Sequence, residues 1–317
     1  MQESVKRRTA FRRRLRRRNR GVAAVVGTLL ALLVFLSIFG IFLTEYVPLW
    51  MTDNEESFSN SVASQFGAIK QTMDSLYVSG KTSFAVANPV SMASNGVPVF
   101  AQPTQGILGF SEPSYLYTNV SFILGGTSHW FWQNFSTGMI QDRLGDRYYV
   151  PLTYALEGDS VIQSQSAYQQ TVLFQPSVIA NQSGARPSLY LTMFSMTGNN
   201  TNGATTSTGL AEVYTTYMSS QTYTGAYNTR VFLNFTTYYP CAWSNSWNKT
   251  SVTLNTSGYR FGPNVHPLPG PNAYPVGACS NNLVQYPEKL QISFTPVSTF
   301  VLTVVYFQVN IGVGNPT

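Results

Sequence analysis

The sequence predicts a mainly β protein, with a long N-terminal transmembrane and juxtamembrane α-helix followed by a β-sandwich-like domain. Three observations carry this expectation. Val22 to Thr44 is 23 residues without a charge, which as a helix at ~1.5 Å per residue reaches about 34 Å, enough for a hydrocarbon core of about 30 Å. Apolar residues then recur at helical spacing, at Phe58, Val62, Phe66, Ile69, Met73 and Leu76. From Ser83 onward, short alternating stretches rich in β-branched and aromatic residues are separated by Gly, Pro, Asn and Ser. The boundaries that follow are a basic leader over 1–21, a membrane helix over 22–47, an amphipathic helix over 48–80 and a β-rich region over 81–317, long enough for one large domain or two smaller ones.

The net charge of +6 averages two unlike parts. Ten of the 19 Lys and Arg residues fall in the first 20 positions, and the nine basic and twelve acidic residues beyond Gly21 leave the body near −3. The basic run flanks only the N-terminal side of the apolar segment. The positive-inside rule therefore predicts a single-pass cell-membrane protein with a cytoplasmic N-terminus and an extracellular C-terminal domain. The span accounts for the arginines, so no nucleic-acid partner is expected. A cleaved secretory signal fits poorly, because the apolar core is too long and no A-x-A-like site precedes the body. A twin-arginine leader built on Arg7-Arg8 fails on its following context and on the strong hydrophobicity of the core.

Past the span, Thr52-Asp53-Asn54-Glu55 reads as a capping box opening the second helix, and Ser79-Gly80 marks its end. Pro48 removes a backbone donor, which predicts a kink or short break between the two helical segments. Tyr46 and Trp50 stand where aromatic side chains anchor a helix among lipid headgroups. The whole rod, Val22 to Ser79, spans roughly 85 Å if continuous.

The basic run ends in Arg20-Gly21-Val22-Ala23, directly against the apolar segment. This boundary resembles the processing site of archaeal type IV pilin-like and flagellin-like surface proteins, which carry a class III, prepilin-type signal sequence. The resemblance implies that a prepilin-type peptidase cuts between Gly21 and Val22 and leaves the apolar helix on the mature chain. It also implies a kinked N-terminal helix bearing a β head. Bacterial members carry Glu at the fifth mature position. Here that position is Val26, as is common among archaeal members.

Asn95-Gly96, between Ser83–Met92 and Val97–Ala101, predicts a hairpin turn. Further strands are expected at 115–124, 148–154, 161–165, 171–174, 188–196, 210–218, 230–239, 250–255, 290–295 and 299–311. Thr197 to Ser207 reads as an exposed polar loop, and Gly262 to Asn282 as an irregular flap. Cys241 and Cys279 are expected to pair outside the cell. Seven Asn-x-Ser/Thr sequons, at Asn119, Asn134, Asn181, Asn199, Asn234, Asn248 and Asn255, offer N-glycosylation sites.

No catalytic constellation is present, so no enzyme activity, cofactor or resident metal is expected. His129 and His266 have no partner at metal spacing. Asp142, Asp146, Glu157 and Asp159 offer calcium-type oxygen ligands, but without EF-hand spacing they read better as solvated turns beside Arg143 and Arg147. Trp130, Trp132, Trp243 and Trp247 suggest either a sugar-stacking surface or half-buried sheet aromatics, the latter being the commoner use. The expected role is a structural or adhesive subunit whose partners are membrane lipid and copies of itself. The alternative is an anchored extracellular binding module for a glycan or envelope ligand that does not polymerise.

Overall fold

The computed structural model describes residues 24–123, 130–165, 169–182, 187–198, 204–247, 264–267 and 288–312. The leader, the Gly21/Val22 boundary and the strand expected at 250–255 lie outside these residues. The first element, α1, is one continuous helix of 56 residues, Ala24–Ser79, about 84 Å long.

Of the kink or short break expected at Pro48, the break does not occur, and the helix is irregular just before the proline instead. Phe42–Tyr46 forms a π turn, closed by the Val47 N–H donating to the Phe42 carbonyl. The wider turn accommodates the proline ring and its missing donor without ending the helix. The capping box is likewise overturned. Thr52 lies inside α1 and donates its hydroxyl to the Pro48 carbonyl at 2.9 Å, while Glu55 turns away from the helix backbone towards the β domain. The C-terminus is as expected: Gly80 adopts φ 62 and its N–H reaches the Leu76 and Tyr77 carbonyls.

Twelve strands form one hydrogen-bonded sheet. In chain order they are β1 (Ala85–Ser91), β2 (Gly106–Ile123), β3 (Trp130–Leu144), β4 (Thr153–Glu157), β5 (Ser160–Ser164), β6 (Gln170–Phe174), β7 (Val178–Gln182), β8 (Pro187–Gly198), β9 (Ala204–Thr205), β10 (Leu210–Thr237), β11 (Asn264–Pro267) and β12 (Glu288–Gly312). The order is β6-β5-β4-β3-β2-β10-β12-β8-β7, with β1 on β10, β9 on β2 and β11 on β12. Among the described strands only β12–β8 is parallel. The centre is an antiparallel ribbon of β10 and β12, 28 and 25 residues long. On one edge of β10, β1 pairs with 210–216 and β2 with 232–236. Register shifts near Tyr217, Ala226 and Thr229 interrupt the ribbon, and such bulges bend a strand and sharpen its twist.

Neighbouring residues on these strands point to opposite faces. Phe300, Leu302 and Val304 of β12 and Leu189, Leu191 and Met193 of β8 enter one buried cluster. Val305, Phe307 and Val309 of β12, with Phe194 and Met196 of β8, enter a second. The helical stripe Phe58, Val62, Phe66, Ile69, Met73 and Leu76 closes the second cluster. A short helix over 240–247, α2, closes the first with Ala242, Trp243 and Trp247.

The mainly β class with a long N-terminal helix therefore holds. The sandwich-like packing comes from a single sheet that folds back on itself, so that β3–β5 pack against β8 and β12 in one cluster. That sheet bends until β3 and β8 touch without a ladder: the Ser195 hydroxyl donates to the Ser136 carbonyl at 2.8 Å, and the Met196 N–H donates to the Thr137 hydroxyl at 2.9 Å. The two strands expected at 210–218 and 230–239 are one strand, as are those at 290–295 and 299–311, because the bulges let the chain bend without stopping. The Asn95-Gly96 turn is also corrected. The chain reverses at 97–101, where Phe100 and Ala101 both donate to the Val97 carbonyl.

The seam between β3 and β8 is filled by Phe110. Its ring lies where a Cβ on Gly138 would sit, 2.1 Å away, and where one on Gly198 would sit, 2.6 Å away. Phe110 is buried and has nowhere to retreat. Gly138→Ala is expected to destabilise the domain by about 1–3 kcal/mol through overpacking, measured as a fall in the midpoint of chemical unfolding. An unchanged midpoint would show that the seam is loose.

Candidate functional site

Among the described residues, the apolar part of α1 is covered only near its end, where Phe100 meets Phe39 and Phe42. Leu29, Leu33, Phe35, Ile38 and Ile41 are exposed, and no residue of the most apolar 18-residue window, of mean hydropathy 2.7, is buried. By length and composition this helix can cross a membrane. Beyond Tyr46 the character of α1 changes within one turn, and Val47 and Met51 are buried beside Val97. The junction between rod and head is thus sharply placed.

Polar groups lock that junction. Glu55 is fully buried, and its carboxylate accepts backbone N–H groups from three consecutive residues. Arg147 donates at 3.1 and 3.2 Å, Tyr148 at 2.8 Å and Tyr149 at 2.7 Å. Successive amides that converge on one anion form a nest, here occupied by a side chain of α1. One and a half turns above Gln65, which itself bonds the backbone and side chain of Ser91, Lys70 makes the second tie. Its ammonium lies 2.9 Å from Asp159 and 3.0 Å from Asp74, over the Phe194 ring. Burial works against the Lys70 charge, but Asp159 and Asp74 outweigh it and raise the amine above its ordinary range. Asp159 also accepts the Ser177 N–H.

The four carboxylates proposed as calcium-type ligands or solvated turns are neither. All four are buried, and among the described residues no group of three or more ligands could hold a metal. The fold parts them into three places: Asp142 beside Asp146, which faces Glu55; Asp159 on Lys70; and Glu157 against Thr237 and Trp243. Arg143 and Arg147 form no ion pair among the described residues; Arg147 contributes its backbone instead. Burial pushes Asp142 up to about 7, with Asp146 adding repulsion. The Ile107 amide is a partial compensating donor, but neither Asp142 oxygen has a well-aligned hydrogen bond among the described residues. Burial, then Glu55, raises Asp146 to about 7. Burial raises Glu157 to about 7 against the donors Thr237 and Trp243, and Asp159 to about 6 against Lys70.

Other expected sites are scattered. Cys241 is buried and disulfide-bonded; Cys279 lies outside the described residues. Trp243 and Trp247 are buried on α2 and offer no sugar-stacking face, while the side chains of Trp130 and Trp132 are outside the described set. His129 is also outside it, and His266 sits in β11 opposite Gln291. Of the sequons, Asn134 is exposed on β3 and Asn234 half-buried on β10. Asn119 of β2 stands opposite both, so the three form a row across β3, β2 and β10. Strands ~4.8 Å apart cannot carry a glycan on each member of such a row. Asn181 lies in β7, and Asn199, Asn248 and Asn255 are outside the described residues. The Glu55 nest was missed by sequence reasoning, and no local signal announces it: the donors are backbone groups more than 90 residues away.

Glu55→Ala removes the shared acceptor of three part-buried amides and should cost about 1–3 kcal/mol, whereas Glu55→Gln, which keeps an acceptor oxygen, should cost less. Equal losses in thermal unfolding would refute the nest. The raised carboxyls make the folded chain bind more protons than the unfolded one between the ordinary value near 4 and about 7. Stability from these groups is therefore complete at low pH and is lost as pH rises through that window. Asp142→Asn should raise the melting temperature at pH 7.5 and flatten its pH dependence; a lower melting temperature at both pH 5 and pH 7.5 would refute this assignment.

Comparison of the chain with protein-family models, with curated proteins and with solved structures gave no match, so the functional reading rests on the anchor helix, the junction and the head alone.

Proposed function

We propose that this chain is a type IV pilin-like, membrane-anchored surface subunit with a structural or adhesive role. Its N-terminal helix holds it in the cell membrane with the β head outside and, after processing between Gly21 and Val22, packs against copies of itself. The observation that carries this reading is α1, a single helix that is apolar and largely uncovered over one half and the spine of a β head over the other. A helix greasy on all sides is stable only in lipid or in a bundle of similar helices, and exchanging one for the other has a modest net cost. Gly27 and Gly40 are small residues of the kind that lets helices approach closely. The basic run before the span supports the orientation.

Mass spectrometry of the protein from its native membrane is expected to give a mature N-terminus at Val22, and a bulky substitution at Gly21 should abolish that processing. Electron microscopy of the same cells should show surface filaments that disappear with the variant. A chain that retains Met1 and forms no filaments would overturn the pilin-like reading in favour of a non-polymerising anchored binding module.

A further inference from the structure

We propose that the loop over 97–101 is a second membrane contact, a rigid apolar tip of the β head that enters the outer leaflet beside α1. The inference rests on the reading that the apolar half of α1 lies in a bilayer, and adds that the head is seated in the membrane surface instead of being held above it.

The argument is one of depth. From Ala24 to Thr44 the helix has no ionisable residue, and Glu45 is the first. The head does not stay beyond Glu45. Its 97–101 loop runs back along the helix until the Phe100 ring lies 5.4 Å from that of Phe42 and 6.2 Å from that of Phe39. Phe42 and Phe39 precede Glu45 by three and six residues, so at ~1.5 Å per residue they lie roughly 4–9 Å deeper along the helix axis. A bilayer that covers the helix up to Phe42 must therefore also cover Phe100 and its neighbour Val99. Phe42 in turn contacts Trp50 at 5.6 Å and Tyr46 at 6.1 Å, aromatics suited to the headgroup level just above.

The composition and shape of the tip fit this place. No charged residue occurs between Lys81 and Glu112. Val99 is 99% exposed, and it adopts φ 72, a left-handed conformation that is an outlier for a β-branched side chain. The tip is also held in position. Val97 packs with Val47 and Met51 on α1. The stem is tied by the Ser94 N–H to the Thr104 carbonyl at 2.9 Å and by the paired Ser94 and Thr104 hydroxyls at 2.7 Å. Gly96 admits the close Ala101 carbonyl, which lies 2.6 Å from where a Cβ would stand. A preformed apolar tip inserts without an ordering cost on contact.

The test places a single cysteine in the full-length chain at Val99, at Leu36 in the span or at Asn95 in the stem, each labelled with an environment-sensitive nitrobenzoxadiazole and reconstituted in phosphatidylcholine vesicles. Pro98→Cys serves if Val99→Cys misfolds by circular dichroism. Quenching is read with lipids that carry a nitroxide near the headgroup or near the chain end, and with aqueous iodide. The Leu36 probe should lose most emission to the deep nitroxide, the Val99 probe to the shallow nitroxide, and the Asn95 probe only to iodide. If the Leu36 probe escapes lipid quenching, the anchoring reading fails and this proposal with it. If Leu36 is quenched by lipid but Val99 only by iodide, the loop contact alone is overturned. It is equally overturned if the Val99 probe is shielded from iodide without lipid quenching and only at high protein density, since a second copy then covers the tip.

Discussion

The structure depends on one constraint: the rod and the head must be a single body although only half of the rod can be buried in protein. The Glu55 nest meets it. A carboxylate in the interior is tolerated only when donors replace the water it lost, and the amides of Arg147, Tyr148 and Tyr149 do so. Those amides belong to the loop between β3 and β4, so the bond fixes the height of that hairpin on the helix. Lys70 and Asp159 repeat the arrangement four turns further along, at the β4–β5 turn. Between them the apolar stripe of α1 packs on the sheet. Polar ties set the register and apolar burial supplies the adhesion, a division expected when hydrophobic contact is strong but undirected.

The bent sheet follows from the same need. A flat sheet would touch a helix along a line. The β10–β12 ribbon, bent at its bulges, lets strands on both edges curve around α1, and Phe110 fills the seam where β3 and β8 meet. The far face of the sheet is covered by α2, whose start carries the disulfide-bonded Cys241. Three buried carboxyls, those of Glu55, Asp142 and Asp146, lie at the helix-facing junction, while Glu157 faces Trp243 of α2. Burial favours the neutral form of Asp142 and Asp146, so this part of the junction is less stable at neutral pH than in acid.

These features suit a subunit held in a membrane and exposed to whatever lies outside. In the proposed reading, a rod that continues into the head would carry load along its axis, and the proposed apolar tip beside it would limit tilting of the head.

The sequence by itself determined where the chain changes solvent. The uncharged run to Thr44, the arginines before it and the stripe from Phe58 to Leu76 are local patterns, each readable because period and charge act over a few neighbours. The Gly80 terminus and most strand positions were legible for the same reason. Tertiary structure alone decided the rest. Thr52 and Glu55 look like a helix start, and become an interior threonine and a buried acceptor because the π turn carries α1 past Pro48. β3 was hidden by its Asn, Ser and Gly content, which is tolerated because Phe110 rests against Gly138. Asp142, Asp146, Glu157 and Asp159 look like solvated turns, and only packing shows that water is gone. The depth of the 97–101 loop beside Phe39 and Phe42 depends on contacts between segments more than 50 residues apart in the chain. Local pattern encodes periodicity and charge, whereas burial and donor supply are properties of which distant segments meet.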